Sequence, residues 1–86
     1  MKLETFRQRL SKGKSSGYGY EVDGKIGFIA VWRYEDVFVL TWEEFSVGQF
    51  YNEENYTRDE VHHFATVDAV LQFLETNSVA PTWFKG

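Results

Sequence analysis

Residues 26–42, with the sequence IGFIAVWRYEDVFVLTW, decide the fold of this chain. Two apolar runs, at residues 26–32 and 37–42, flank a short polar break at residues 33–36. Val, Ile, Phe and Trp dominate both runs, and these residue types favour a pleated, half-buried surface. The stretch therefore predicts a β-hairpin, and it is the only segment that is apolar enough to seed a core by itself.

A second hairpin is predicted immediately before the first one. Asp23 and Gly24 can supply the positive φ angles that a type I′ turn requires. With these two residues as the turn, Tyr20 lies opposite Gly27, and its ring would cover bare backbone. The two hairpins together predict three consecutive antiparallel strands, at residues 18–22, 25–33 and 37–43.

The third of these strands is apolar on both of its faces. Strand alternation separates its residues into two sets: Phe38, Leu40 and Trp42 on one face, and Val37, Val39 and Thr41 on the other. This pattern predicts a central strand that is covered on both sides, or a strongly curved sheet.

Two helices are predicted, one near each end of the chain. Apolar residues recur at helical spacing between residues 3 and 10, and Gly13 can end that helix. A second helix is predicted at residues 67–76, with Thr66 as its N-cap. A short strand at residues 61–64 precedes it.

The order of these elements predicts an α+β fold in a single domain spanning residues 1–86. We expect an antiparallel sheet of four or five strands, with an N-terminal and a C-terminal helix packed on it. Residues 45–51 could form a further strand. The aromatic side chains of Trp83 and Phe84 are expected to dock on the sheet, and the alternative is that they reach a partner.

Charge is distributed unevenly along the chain, whose net charge is −4. Residues 1–14 hold five basic and one acidic residue, whereas residues 15–86 hold four basic and twelve acidic ones. An acidic body argues against direct nucleic-acid binding, which requires a basic patch. The first residues lack the apolar core of a signal peptide, and no apolar run is long enough to span a membrane. We therefore expect a cytoplasmic protein with no membrane partner.

The sequence contains no pattern typical of a catalytic, cofactor or metal site. It has no Cys, so neither a thiol nucleophile nor a cysteine zinc site can form. His62 and His63 are adjacent in a predicted strand and should point to opposite faces, one half-buried and one exposed. The Gly-Lys-Ser at residues 13–15 lacks the first glycine of a phosphate-binding loop and follows a helix. We expect no cofactor, no metal and no enzymatic activity.

Residues 43–60 combine paired acidic residues with aromatic ones. One interpretation is a solvated edge, whose charges keep the sheet from pairing with other chains. The other is an interface for a basic partner, in which acids steer association and aromatic side chains anchor the complex. The predicted partner-binding residues are Trp42, Glu43, Glu44, Tyr51, Glu53, Glu54, Tyr56, Asp59 and Glu60.

This short, acidic and aromatic profile is similar to that of bacterial immunity proteins and other nuclease inhibitors. The resemblance implies an inhibitor that blocks a basic partner, such as a nuclease toxin in a toxin–antitoxin pair. No motif of a named immunity family is present, so the resemblance assigns no residues. Two alternatives remain open: a phage-type antagonist that mimics DNA charge, and a structural subunit or homodimer that buries its sheet edges by self-association.

Overall fold

The computed structural model, which describes residues 1–46 and 56–86, is an α+β fold built on one antiparallel sheet. Its elements are α1 (Leu3–Ser11), β1 (Ser16–Val22), β2 (Lys25–Tyr34), β3 (Val37–Ser46), β4 (Tyr56–Phe64) and α2 (Val67–Thr76), followed by a short 3₁₀ helix at Pro81–Trp83. The four strands lie side by side in the order β1-β2-β3-β4. The predicted fold class, with a helix at each end of the chain, is confirmed.

Both predicted hairpins are present, and the one that turns at Asp23 and Gly24 has the predicted register. Tyr20 lies opposite Gly27, and its ring occupies the space that a Cβ atom on residue 27 would fill. Asp23 and Gly24 have φ angles of 50° and 74°, the left-handed conformation that a type I′ turn requires. Glu35, with φ of 55°, begins the turn between β2 and β3.

The strands are longer than the sequence predicted, most clearly at β4. This strand begins at Tyr56 and not at residue 61. Its first half is rich in charged and polar residues, so composition does not reveal it, and pairing with β3 extends it instead. Of the further strand predicted at residues 45–51, the first two residues belong to β3, and the rest lies outside the described residues.

Both helices pack on one face of the sheet, and the core lies between them and the strands. The Thr66 side chain caps α2 as predicted, because its Oγ1 accepts a hydrogen bond from the Ala69 N–H at 3.1 Å. The two C-terminal aromatic residues differ in exposure, because Phe84 is fully buried and Trp83 is 49 % exposed. The largest fully buried side chains are Phe6, Leu10, Ile29, Val31, Leu40, Val70, Leu74 and Phe84.

The central strand β3 has different surroundings on its two faces. Phe38, Leu40 and Trp42 belong to the core under the helices. Val37, Val39 and Thr41 lie on the opposite face, and neither helix packs there. Within the two described ranges, no helix is long and apolar enough to cross a membrane.

Candidate binding surface

The sheet face opposite the helices, here called the open face, is the candidate binding surface. It consists of the odd-numbered residues of β1 and β3, the even-numbered residues of β2, and Asp59, Val61 and His63 of β4. A register shift at Glu44 and Phe45 adds Tyr56, whose ring lies 5.1 Å from that of Phe45. Apolar and aromatic side chains dominate this face.

The described residues of the open face include acids and no Lys or Arg. Its carboxylates are Glu21, Glu43 and Asp59. The basic side chains of the strands all lie on the helix-covered face: Lys25, Arg33 and Arg58. The sheet thus separates charges that are interspersed along the chain.

Glu43 and Asp59 lie directly opposite each other in the β3–β4 ladder. Like charges in this position repel, and they destabilise a sheet. Phe28 lies opposite Glu43 on the other side, in β2, and its side chain is 50 % exposed. A cationic group approaching this point would relieve the repulsion and contact an aromatic ring.

Three large apolar side chains of the open face, on β2 and β4, are exposed. Besides Phe28, Tyr34 is 62 % exposed and Val61 is 59 % exposed. The Phe28 ring packs over Gly17 and Gly19, and a Cβ atom on Gly17 would lie 2.9 Å from its Cζ. The glycines therefore allow this ring to lie against bare backbone of β1, where it presents a defined apolar surface.

The basic α1 helix lies on the helix-covered side and does not neutralise the open face. Arg7 pairs with Asp68 of α2 at 2.6 Å. Arg9 donates a hydrogen bond to the Ser15 carbonyl at 2.7 Å. Arg33 of β2 reaches the same side and donates to the Ser11 carbonyl at 2.6 Å.

Trp42 lies in a polar network on the helix-covered face. Its ring is 4 % exposed, and its Nε1–H donates a hydrogen bond to the Tyr20 hydroxyl at 2.9 Å. That hydroxyl donates to Glu44 Oε2 at 2.5 Å, and the Arg58 guanidinium stacks on the Trp42 ring at 3.5 Å. Trp42 is thus a core residue in this structure and not an exposed anchor. Alternation alone could not show which face of β3 the helices cover.

Hydrogen bonds within this network shift the pKa values of its members. The Tyr20 hydroxyl lowers the pKa of Glu44. Burial, followed by the hydrogen bond to Glu44, raises the pKa of Tyr20. Arg58 donates to Glu60 at 2.7 Å and lowers the pKa of that carboxyl. Glu44 and Glu60 are therefore ionised and already bound within the chain, so they are less available to a partner than Glu43 and Asp59.

The two histidines occupy opposite faces of β4, as predicted. His62 is half-buried, with its ring 4.5 Å from that of Phe73 and its Nε2 2.8 Å from Glu60 Oε1. His63 is exposed on the open face. Across residues 1–46 and 56–86, no group of three or more His, Asp or Glu side chains could hold a metal ion.

A groove of about 560 Å³ lies on the other side of the molecule, between the helices and the C-terminal 3₁₀ helix. Leu3, Leu71 and Trp83 form much of its wall. Its charged side chains are Arg7, which is paired with Asp68, and Glu75. Nothing in the groove indicates the chemistry of an occupant.

The structure divides the predicted partner-binding residues into three groups. Glu43, Tyr56 and Asp59 lie together on the open face, and Trp42, Glu44 and Glu60 lie on the helix-covered face. Tyr51, Glu53 and Glu54 lie outside the described residues.

Sequence reasoning missed the open-face residues that precede the acidic stretch: Glu21, Phe28, Tyr34 and, further along, Val61. A signal for them was available. Two short helices cover only one face of a four-stranded sheet, so a second face that is apolar in sequence is a candidate surface for a partner.

Comparison of the chain with protein-family models, with curated proteins and with solved structures gave no match.

Proposed function

We propose that this chain is a small acidic protein-binding module that inhibits a basic partner, such as a nuclease or another nucleic-acid-binding protein. The observation that supports this function is the open face. It combines exposed apolar side chains with carboxylates, and its described residues include no Lys or Arg. Such a surface is complementary to a basic, partly apolar patch on another protein.

Binding would use the two components of this face in different ways. The carboxylates of Glu21, Glu43 and Asp59 would attract a basic surface and raise the association rate, most strongly at low salt. Phe28, Tyr34 and Val61 would lose their remaining exposure and slow dissociation, because a few apolar and aromatic side chains buried in an interface carry most of its binding energy. Aromatic anchors surrounded by polar residues are typical of protein interfaces.

Inhibition would follow from competition for the same basic surface. A nucleic-acid-binding protein attracts phosphates through Lys and Arg side chains. An acidic module bound to those side chains would exclude the phosphates, so no catalytic group is required of the module. The complex should also weaken as salt rises, because salt screens the exposed charges.

The first experiment is capture of partners by the tagged chain from a host lysate, with washes at low and then high salt. A basic protein that is retained near one-to-one and released by salt supports the proposal, and mass spectrometry identifies it. The captured protein should also lose nucleic-acid binding or nuclease activity when the module is added. A module that leaves this activity unchanged at saturation is not an inhibitor.

The second experiment locates the interface with matched variants. The double variant Glu43→Gln/Asp59→Asn removes two charges from the open face. The control, Glu4→Gln/Glu75→Gln, removes two charges from exposed residues of the helices. We expect the first variant to associate with the captured partner about tenfold more slowly at low salt, with a smaller difference at high salt. Equal association rates for the two variants would place the interface elsewhere.

A further inference from the structure

We propose that two copies of this chain pair through the free edge of β4, with Val61 on a two-fold axis, to form one continuous eight-stranded sheet. The proposal does not depend on the inhibitory function. It rests on three observations about β4: its outer edge is unpaired among residues 1–46 and 56–86, its acids lie opposite histidines in one register, and its central residue is exposed.

The first observation is that β4 pairs with β3 on one side only. It is the last strand in the sheet order, and no backbone bridge outside the named strands involves it in the described part of the chain. The other outer strand, β1, is partly closed. Gly17 N–H donates to the Lys85 carbonyl at 2.9 Å, and Lys85 N–H donates to the Gly17 carbonyl at 2.8 Å. Unpaired N–H and C=O groups on an edge are a template for another strand.

The second observation concerns the charges along β4. A two-fold axis perpendicular to the sheet passes through one residue, which then lies opposite itself. An axis at Asp59 or at Glu60 would put two identical carboxylates opposite each other, which is destabilising. An axis at His62 would pair Val61 with His63 and bring no opposite charges together.

An axis at Val61 gives complementary pairs on both faces of the sheet. It places Glu60 opposite His62 of the second copy and Asp59 opposite His63 of the second copy. Symmetry makes each pair occur twice. Of these registers, this is the one that pairs acids with groups that can donate to them and brings no like charges together, so the charges of β4 select it.

The third observation is that the side chains of the proposed pairs lie on matching faces of β4. Val61 is 59 % exposed, and Asp59 and His63 lie exposed beside it on the open face. Glu60 and His62 lie on the other face, where Glu60 Oε1 is 2.8 Å from His62 Nε2 of its own chain.

Proline and irregular register, two other features that block pairing at edge strands, lie outside residues 59–63, the segment that would pair with the second copy. The single proline of the chain is Pro81, and the register shift at Glu44 and Phe45 lies beyond Arg58, before the paired segment begins. Charges are the remaining device that native proteins use on edges. Here the charges disfavour the registers centred on Asp59 and Glu60, and they favour the register centred on Val61.

The oligomeric state tests the proposal directly. Sedimentation equilibrium and light scattering over about 1 µM to 1 mM should show the mass rising from 10.1 kDa towards twice that value. A mass that remains that of one chain at the highest concentration overturns the proposal.

Charge variants then test the register. His63→Asp puts a carboxylate opposite Asp59 of the second copy and should raise the dissociation constant of the dimer at least tenfold. Asp59→Lys combined with His63→Asp reverses the pair and should restore the dimer. Unchanged dimerisation in the single variant, or no recovery in the double variant, overturns the register.

Two further variants separate pairing from loss of fold. Val61→Lys changes an exposed side chain, leaves the existing charges in place, and should also weaken the dimer at least tenfold. Val61→Cys introduces a thiol into a chain without cysteine. Directly opposite residues in antiparallel strands have Cα atoms about 4.5–5.5 Å apart, which is within disulfide range. We expect rapid oxidation to a covalent dimer. The control is Val22→Cys on β1, at a side chain 51 % exposed. Equal oxidation rates at the two positions would contradict pairing through β4.

His63→Asp also distinguishes this inference from the proposed function. The variant keeps all of the described open-face carboxylates, so it should still bind a basic partner as a single chain. Failure of dimerisation in the unmodified protein would leave the binding function intact.

Discussion

Replacing Gly27 by alanine should destabilise this protein through a clash with one side chain. The Tyr20 ring lies across the backbone of residue 27, and three of its atoms would overlap a Cβ atom there. Tyr20 cannot move freely, because its hydroxyl accepts a hydrogen bond from Trp42 and donates one to Glu44. The substitution must therefore shift the β1–β2 ladder or displace the tyrosine from both partners.

The expected loss of stability depends on whether the β1–β2 ladder shifts or Tyr20 is displaced. Forcing a methyl group into a packed site costs about 1–3 kcal/mol. Displacing Tyr20 loses a neutral hydrogen bond of about 1 kcal/mol and a hydrogen bond to a carboxylate of about 1.5–3 kcal/mol. Alanine recovers about 0.5–1 kcal/mol because it has less freedom than glycine in the unfolded chain. We expect Gly27→Ala to lower the free energy of unfolding by about 1–3 kcal/mol, a large part of the ~5–15 kcal/mol by which native proteins are stable.

Urea unfolding, followed by tryptophan fluorescence, measures this change. Gly19→Ala is the matched control, because a Cβ atom on residue 19 would meet the Phe28 ring at 3.6 Å, an ordinary contact. The control should change the free energy of unfolding by less than about 1 kcal/mol. The same Gly27→Ala substitution in a Tyr20→Ala background should cost little, because the obstructing ring is gone.

Two results would refute this reasoning. If Gly27→Ala unfolds within about 0.5 kcal/mol of the unmodified protein, the contact between ring and backbone does not constrain the sheet. If its cost is the same with and without the Tyr20 ring, the destabilisation comes from the backbone of β2 and not from the clash.

Three further predictions concern a helix cap, a charge pair and acid stability. Thr66→Ala should lower the free energy of unfolding by about 1 kcal/mol, because α2 loses its side-chain cap. Thermal unfolding measures this change, and an unchanged midpoint would exclude the cap as a source of stability. Asp59→Asn should raise the free energy of unfolding by about 0.2–1 kcal/mol, because it ends the repulsion with Glu43; a loss of stability in urea would contradict this account. The lowered pKa of Glu44 means that its contribution to stability is present above its unfolded pKa and is lost as pH falls through the folded value. Tyr20→Phe removes the main cause of that shift, so the variant should lose less stability than the unmodified protein as the pH falls below the ordinary glutamate pKa of 4.5; equal losses in urea titrations would contradict it.

Local chemistry explains why parts of the fold could be predicted from the sequence. The turn at Asp23 and Gly24 needs only two residues that tolerate positive φ, and it then determines the register that places Tyr20 over Gly27. Thr66 at the start of an apolar periodic segment likewise determines where α2 begins. These features depend on neighbours in the chain, so they were visible without tertiary structure.

The first half of β4 was not predicted, because charged residues at 58–60 interrupt its apolar pattern. Asp59 and Glu60 are poor strand formers taken alone. They are extended because β3 supplies hydrogen-bond partners along the ladder, and Arg58 and Glu60 gain an ion pair and a stacked tryptophan ring on the covered face. Pairing between distant segments overrides local preference here.

The candidate surface shows the same division between local and distant causes. By itself, the sequence determined that the body is acidic, that its strands are apolar on both faces, and that few helices are available to cover them. Only the tertiary structure decided that Glu43 and Asp59 share the open face while Glu44 and Glu60 turn toward the helices. Alternation assigns neighbouring residues to opposite faces of a strand. Which face is buried depends on where the helices pack, and that is decided by side chains distant in the chain.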